Sequence, residues 1–232
     1  MGVKYHEKGD YMKSQTLMEE LMTVYRGTSK GEIVHYYYAL STYNLGDFIL
    51  ASFHFRNFVK SYPQSKHAEE CAYMNAYCYF LMSPNYTLDQ TDTKSAITEF
   101  QQFINSYPHS SRVATCNEMI DKLRIKLEKK SYEISKQYFL ISDYKAAIVA
   151  MNNFHKDFPA SRYLEELAYV NVKANFQLAL NSIEAKKKER LDATIQAYYK
   201  FIDGYPKSSW VKPAESIFEQ VQKIKSTTAT KS

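Results

Sequence analysis

FVKSYPQS at residues 58–65 recurs as FINSYPHS at 103–110, FHKDFPAS at 154–161 and FIDGYPKS at 201–208. Each copy has an aromatic, a second aromatic four residues on, then Pro, then Ser two further. The four copies use four of the six prolines, and they start 45, 51 and 47 residues apart. An aromatic pair at i and i+4 lies on one helical face. A proline placed after it disfavours helical backbone in the residue before it. Each copy therefore reads as the buried end of a helix followed by a stop, and the recurrence reads as a repeat protein.

A longer echo supports this. Displaced by 96 residues, Asp47 meets Asp143, Ala51 meets Ala147, Phe58 meets Phe154 and Pro63 meets Pro159. The match continues through Ser65 with Ser161, Glu69-Glu70 with Glu165-Glu166, Ala72-Tyr73 with Ala168-Tyr169, Asn75 with Asn171 and Phe80 with Phe176. Within a unit, Gly46-Asp47-Phe48 and Ser142-Asp143-Tyr144 break one helix and start another, with Asp capping the first-turn amides. Ala51, Ala96 and Ala147 allow close helix approach, Phe55, Phe58 and Tyr62 form a buried stripe, and Ser65, Ser110, Ser161 and Ser208 are expected to cap the next helix.

This spacing predicts helices near 10–25, 32–45, 47–61, 65–82, 92–106, 110–141, 143–157, 161–182, 189–204 and 208–225. Gly9-Asp10-Tyr11 starts a degenerate first unit in which Arg26 stands where later units have Pro. The chain thus opens inside the first helix of that unit. The expected organisation is one repeat domain over 1–225, with N-terminal repeats to about 108, C-terminal repeats from about 109, and a flexible tail at 226–232. The fold class is all-α, a solenoid of about five helix pairs in a right-handed superhelix.

Composition agrees. Hydrophobic residues make up 45% of the 232 and charged residues 24%, which suits a folded chain, and the six glycines are too few for a turn-rich β fold. The net charge of +5 is spread along the chain. Its one dense run, Lys186-Lys187-Lys188, is expected in a solvated inter-helix loop, and no nucleic-acid module is visible. Cys71 and Cys78 stand two turns apart on one helix, ~10 Å by the helical rise, beyond the reach of a disulfide. With Cys116 they read as buried thiols.

Catalysis finds no support. His6, His35, His54, His67, His109 and His155 are scattered, without metal-ligand spacing, and no phosphate loop or nucleophile elbow occurs. No metal and no cofactor is expected. Glu69-Glu70 and Glu165-Glu166 complement helix dipoles.

The Gly-Asp-aromatic, Ala, Phe and Tyr-Pro-x-Ser positions resemble the tetratricopeptide helix–turn–helix pattern, with units longer than that family's norm. The order of unequal units, with the insertion SPNYTLDQT at Ser83–Thr91, resembles the BamD family of lipoproteins over about residues 5–225. The resemblance implies a non-enzymatic scaffold of the outer-membrane β-barrel assembly machine. It would sit on the periplasmic face, lipid-anchored through a cysteine upstream of Met1. The implied partners are the periplasmic domains of BamA, unfolded outer-membrane proteins and other subunits of the machine. Membrane contact would come only through the anchor. A second reading is a free periplasmic adaptor similar to the Tol-associated coordinator of cell-wall synthesis. A lipid-bearing cysteine upstream favours the first reading; a cleaved signal followed by heptads favours the second.

Helical counting back from each turn puts Tyr36, Leu40 and Tyr43 on one stripe, and Tyr73, Tyr77 and Phe80 on the next. These six are candidates for client-peptide binding, and the same positions also suit packing between helices. For partner docking the candidates are Tyr132, Lys136, Phe139, Lys186, Lys187, Lys188, Trp210 and Lys212. Trp210 is the single Trp, and Trp is enriched at interface hot spots.

Overall fold

In a computed structural model, residues 1–25 and 28–229 are described; Arg26 and residues 230–232 of the expected tail lie outside them. The described residues form eleven α-helices and no strand, at 79% helix. They run α1 (Gly2–Glu7), α2 (Tyr11–Val24), α3 (Ser29–Asn44), α4 (Phe48–Ser61), α5 (Ala68–Met82) and α6 (Thr91–Ser106). Then come α7 (Val113–Leu140), α8 (Tyr144–Asp157), α9 (Leu164–Leu180), α10 (Glu184–Gly204) and α11 (Val211–Ala229). The chain divides into two compact units, Met1–Leu127 and Glu128–Ser232.

The turn chemistry is the one the sequence predicts. Asp10, Asp47 and Asp143 each accept from the amide three residues on, at Lys13, Leu50 and Ala146. The residue before each Asp has positive φ: Gly9 at 77°, Gly46 at 85° and Ser142 at 64°. Glycine holds that conformation without cost; at the third site a serine accepts it. At the four proline stops, Tyr62, Tyr107, Phe158 and Tyr205 share one backbone state, φ −130° to −137° and ψ 59° to 63°.

Two local expectations are corrected. The four motif serines are not N-caps: the helices that follow begin at Ala68, Val113, Leu164 and Val211. Instead, Ser65, Ser110, Ser161 and Ser208 accept from the amide two residues on, closing a short turn. Three of them also donate to a glutamate about one unit back: Ser65 to Glu32 and Ser110 to Glu69, at 2.5 and 2.6 Å, and Ser161 to Glu128. Further along, Lys186–Lys188 lie in the first turns of α10 rather than in a loop. There Lys187 pairs with Glu184 and Lys186 with Glu189, at helical spacing along an exposed helix face. α11 continues to Ala229.

The cores are built from the repeated aromatics. In the first unit Phe55 and Phe58 are fully buried with Ala51, Cys71 and Cys78, and Phe100 and Phe103 with Ala96 and Cys116. The second unit buries Phe154 with Ala147 and Met151, and Phe201 with Leu191 and Val221. Burial pushes the Cys78 thiol up to about 12 and Cys116 to about 11, so both stay protonated and packed. The insertion after α5 is held by Gln90, whose Nε2 donates to the carbonyls of Asn85 and Leu88, and by Lys126, which donates to Ser83.

Phe154 shows no exposed surface, so Phe154→Ala should destabilise the protein by about 3–5 kcal/mol. Urea unfolding followed by circular dichroism measures this, and a neutral substitution would mean the repeat register is misread. A second expectation concerns acid. His54 and His35 face each other at 3.4 Å between ring nitrogens. Burial, then the neighbouring His35, lowers the pKa of His54 from 6.5 to about 4, and burial also lowers that of His35. The folded state therefore binds fewer protons than the unfolded one between these values. That stability is fully present above about 6.5 and declines as pH falls toward 4. The thermal midpoint should drop across that window and drop less in His54→Gln; an unchanged pH profile in His54→Gln would assign the loss to other groups.

Candidate peptide-binding site

Helices α3 and α5 carry the six candidate residues of the first unit, and the structure sorts them into two environments. Tyr36 is 7% exposed. Its hydroxyl donates to Glu70 at 2.7 Å and its ring stacks on His67 at 3.9 Å. Burial, with Glu70 beside it, pushes the phenol far above its ordinary pKa, so it remains a neutral donor. Tyr36 is thus an internal tie between two helices.

The other five are half-buried. Tyr73, Tyr77 and Phe80 form a parallel stack along α5, with centroids 5.8 and 5.9 Å apart and planes within 11°. Tyr43 of α3 extends it, 6.5 Å from Tyr77, with Leu40 packed on the same core. Phe100 and Phe103 support the ladder from behind, and the Arg112 guanidinium lies 4.6 Å over the Tyr73 ring. Among the described residues the hydroxyls of Tyr43, Tyr73 and Tyr77 make no hydrogen bond. The surface thus offers flat apolar rings with unspent polar tips, a combination suited to an extended chain.

The second unit repeats the scaffold with different chemistry. Tyr132 donates to Glu166 at 2.7 Å and stacks on Tyr163 at 4.0 Å, as Tyr36 does with Glu70 and His67. Lys136, at the position of Leu40, donates to Glu166 at 2.8 Å and to Tyr132 at 2.9 Å. Burial acts to raise the Glu166 pKa, but bonds from Lys136 and Tyr132 outweigh it and hold the carboxyl below its usual range. Tyr132 and Lys136 are therefore committed internally.

Phe139 stays half-buried beside Tyr144, with the Lys173 ammonium 5.1 Å over its ring and 5.6 Å from Tyr169. Lys173 occupies the place of Tyr77: a cation sits where the first unit has an aromatic. Trp210 stacks on Tyr169 at 5.9 Å with planes 4° apart, covering α9. Lys186, Lys188 and Lys212 are exposed. The roles of Arg112 and Lys173 were missed by sequence reasoning. The 96-residue echo holds the signal for Lys173, because it aligns that lysine with Tyr77.

Among the described residues no group of three His, Cys, Asp or Glu could hold a metal, and no helix is long and apolar enough to cross a membrane. The fold and the site define a helix-pair repeat protein with half-buried aromatic and cationic faces. More specifically, the chain matches the model of the YfiO outer membrane lipoprotein family over residues 1–191 and belongs to that family. It is 26% identical over 242 residues to the putative outer membrane protein assembly factor BamD of Aquifex aeolicus (strain VF5), covering 96% of this chain and 78% of the relative. The solved TPR2AB-domain:pHSP90 complex of yeast Sti1 aligns over 95% of each chain, at 13% identity and a TM-score of 0.45.

Proposed function

We propose that this protein is a non-catalytic scaffold for assembling β-barrel proteins in the outer membrane. In this reading, its first unit receives extended segments of unfolded clients and its second docks the periplasmic domains of BamA. Family membership and the likeness to an assembly factor support the cellular role. The observation that carries the client site is the parallel Tyr73–Tyr77–Phe80 stack with Tyr43 beside it. Rings already stacked lose little side-chain freedom on binding, so an apolar client residue laid across them gains contact at low entropic cost. Tyr36 contributes indirectly, by tying α3 to α5.

Tyr77→Lys tests this, since Lys is the residue that the second unit carries at that position. The variant should remain folded and lose most crosslinking to a peptide from the C-terminal strand of an outer-membrane protein. Crosslinking equal to the wild type would remove the ladder from the client site.

Docking through the second unit is supported by the exposed Lys188 and Lys212, with Lys186 in a surface pair to Glu189; none of the three touches the internal Lys136–Glu166 network. Rim cations of this kind steer an acidic partner surface, with an effect that fades as salt rises. Reversing all three to Glu in the full chain should lower co-purification of BamA, most at low salt. Full retention at low salt would place docking elsewhere.

A further inference from the structure

Between α8 and α10, with α9 as its floor, the second unit has a cleft of about 960 Å³. We propose that this cleft binds an extended polypeptide segment bearing carboxylate side chains, a site separate from the aromatic ladder and independent of the client reading above.

The floor is apolar: Met151, Leu167 and Phe201 are buried, and Ala168 and Ala197 leave room above them. Across it runs a relay of carboxamides. Asn175 Nδ2 donates to Asn171 Oδ1 at 2.7 Å, and Asn171 Nδ2 donates to Asn152 Oδ1 at 3.2 Å. The relay ends on the Nδ2 of exposed Asn152, with exposed Gln196 among the lining residues contributed by α10. A carboxamide carries the same donor and acceptor as a peptide unit. It pairs well with an extended main chain, whose N–H and C=O groups have no partners within their own segment.

The corresponding place in the first unit is bridged. There Arg56 of α4 donates to Glu99 of α6 at 2.6 Å, Asn75 of α5 donates to the same carboxylate at 2.6 Å, and Arg56 reaches the Tyr79 hydroxyl at 3.1 Å. In the 96-residue register Arg56 becomes Asn152, Asn75 becomes Asn171 and Tyr79 becomes Asn175. Alignment of Phe103 with Phe201 turns Glu99 into Ala197. Both ends of the bridge are thus gone, and short amides stand where it was. The amide-lined opening of the second unit thus stands where the first unit carries an ion pair.

The rim gives the ligand its charge. His155 and Lys156 of α8 and Lys200 of α10 are exposed at the opening, and Asp203 is the single carboxylate among the lining residues. Among the described residues neither Lys156 nor Lys200 makes an ion pair. Two unneutralised ammonium groups above a relay of amides match an acidic segment, and they are too few to follow a nucleic-acid backbone.

The test uses the full chain and a short fluorescein-labelled peptide alternating Asp and Val, followed by fluorescence anisotropy. Saturable binding is expected, about tenfold tighter than for the matching Lys–Val peptide, a gap of about 1.4 kcal/mol, and weaker at high salt. The double variant Asn152→Arg/Ala197→Glu rebuilds the bridge of the first unit. It should keep its helical spectrum and lose at least about tenfold in affinity. The exposed pair Lys156→Glu/Lys200→Glu should lose a similar factor, so a folding defect in the first variant leaves the test intact. Crosslinking of an outer-membrane-protein peptide at the aromatic ladder should be unchanged in both. No saturable binding, equal binding of the Lys–Val peptide or an oligothymidylate, or wild-type affinity in both variants would each overturn the proposal.

Discussion

Three of the helix pairs are each positioned by a serine that bonds in two directions. At Ser65, Ser110 and Ser161 the hydroxyl accepts from the amide two residues on and donates to Glu32, Glu69 or Glu128 in the helix pair before. The first bond fixes a turn of two residues after the proline; the second fixes where that turn lies against the preceding first helix. Charge-assisted bonds of this kind are stronger than neutral ones, and the carboxylate keeps a partner where the helices crowd together. Tyr36 with Glu70 and Tyr132 with Glu166 add a second tie about one helical turn along from the first. With both ties made, the facing rings of one helix and the next fall into register, which is how Tyr43 comes to lie beside Tyr77.

Much of this was legible because it is local. The Gly-Asp and Ser-Asp turns, the alanines at helix crossings and the proline stops act over four or five residues, and each appears where the sequence places it. The motif serines were misread for the same reason. Ser followed by acidic residues before an apolar run has the pattern of an N-cap, and only the three-dimensional neighbour, a glutamate 33 to 41 residues back, shows the hydroxyl's second partner. The run Lys186–Lys188 suggested a loop by density of charge, although Glu184 and Glu189 at helical spacing on either side were enough to hold a helix. Helical counting places Tyr36 with Leu40 and Tyr43, and only the three-dimensional neighbour Glu70, on another helix, shows that its hydroxyl is used internally.

Duplication separates what the scaffold requires from what each unit is free to change. Conserving the ties, the capping aspartates and the buried phenylalanines in both halves keeps the pair geometry. The positions that differ are therefore the informative ones: Leu40 against Lys136, Tyr77 against Lys173, Arg56 against Asn152 and Tyr79 against Asn175. On the first-helix face the change is from an uncharged side chain, Leu40 or Tyr77, to a cation. On the opposite side it is from a closed ion pair to open amides.

These substitutions share a physical direction. In the first unit the charged groups at the helix crossing are paired, as Arg56–Glu99 illustrates, and the rings of the Tyr73–Tyr77–Phe80 stack are left half-exposed. In the second, Trp210 covers Tyr169, Lys173 covers Phe139, and an amide relay ends on exposed Asn152 beside the ammoniums of Lys156 and Lys200. A surface of bare rings gains most from an apolar ligand, because the free energy scales with apolar area removed from water. A surface of unpaired donors gains from a polar, acidic ligand, because that ligand supplies what burial would otherwise leave unsatisfied. One helix-pair design, held by the same serine and tyrosine ties, thus presents two chemically distinct faces on one chain. Ligands for the two units are then distinguished by chemistry before any difference in shape is needed.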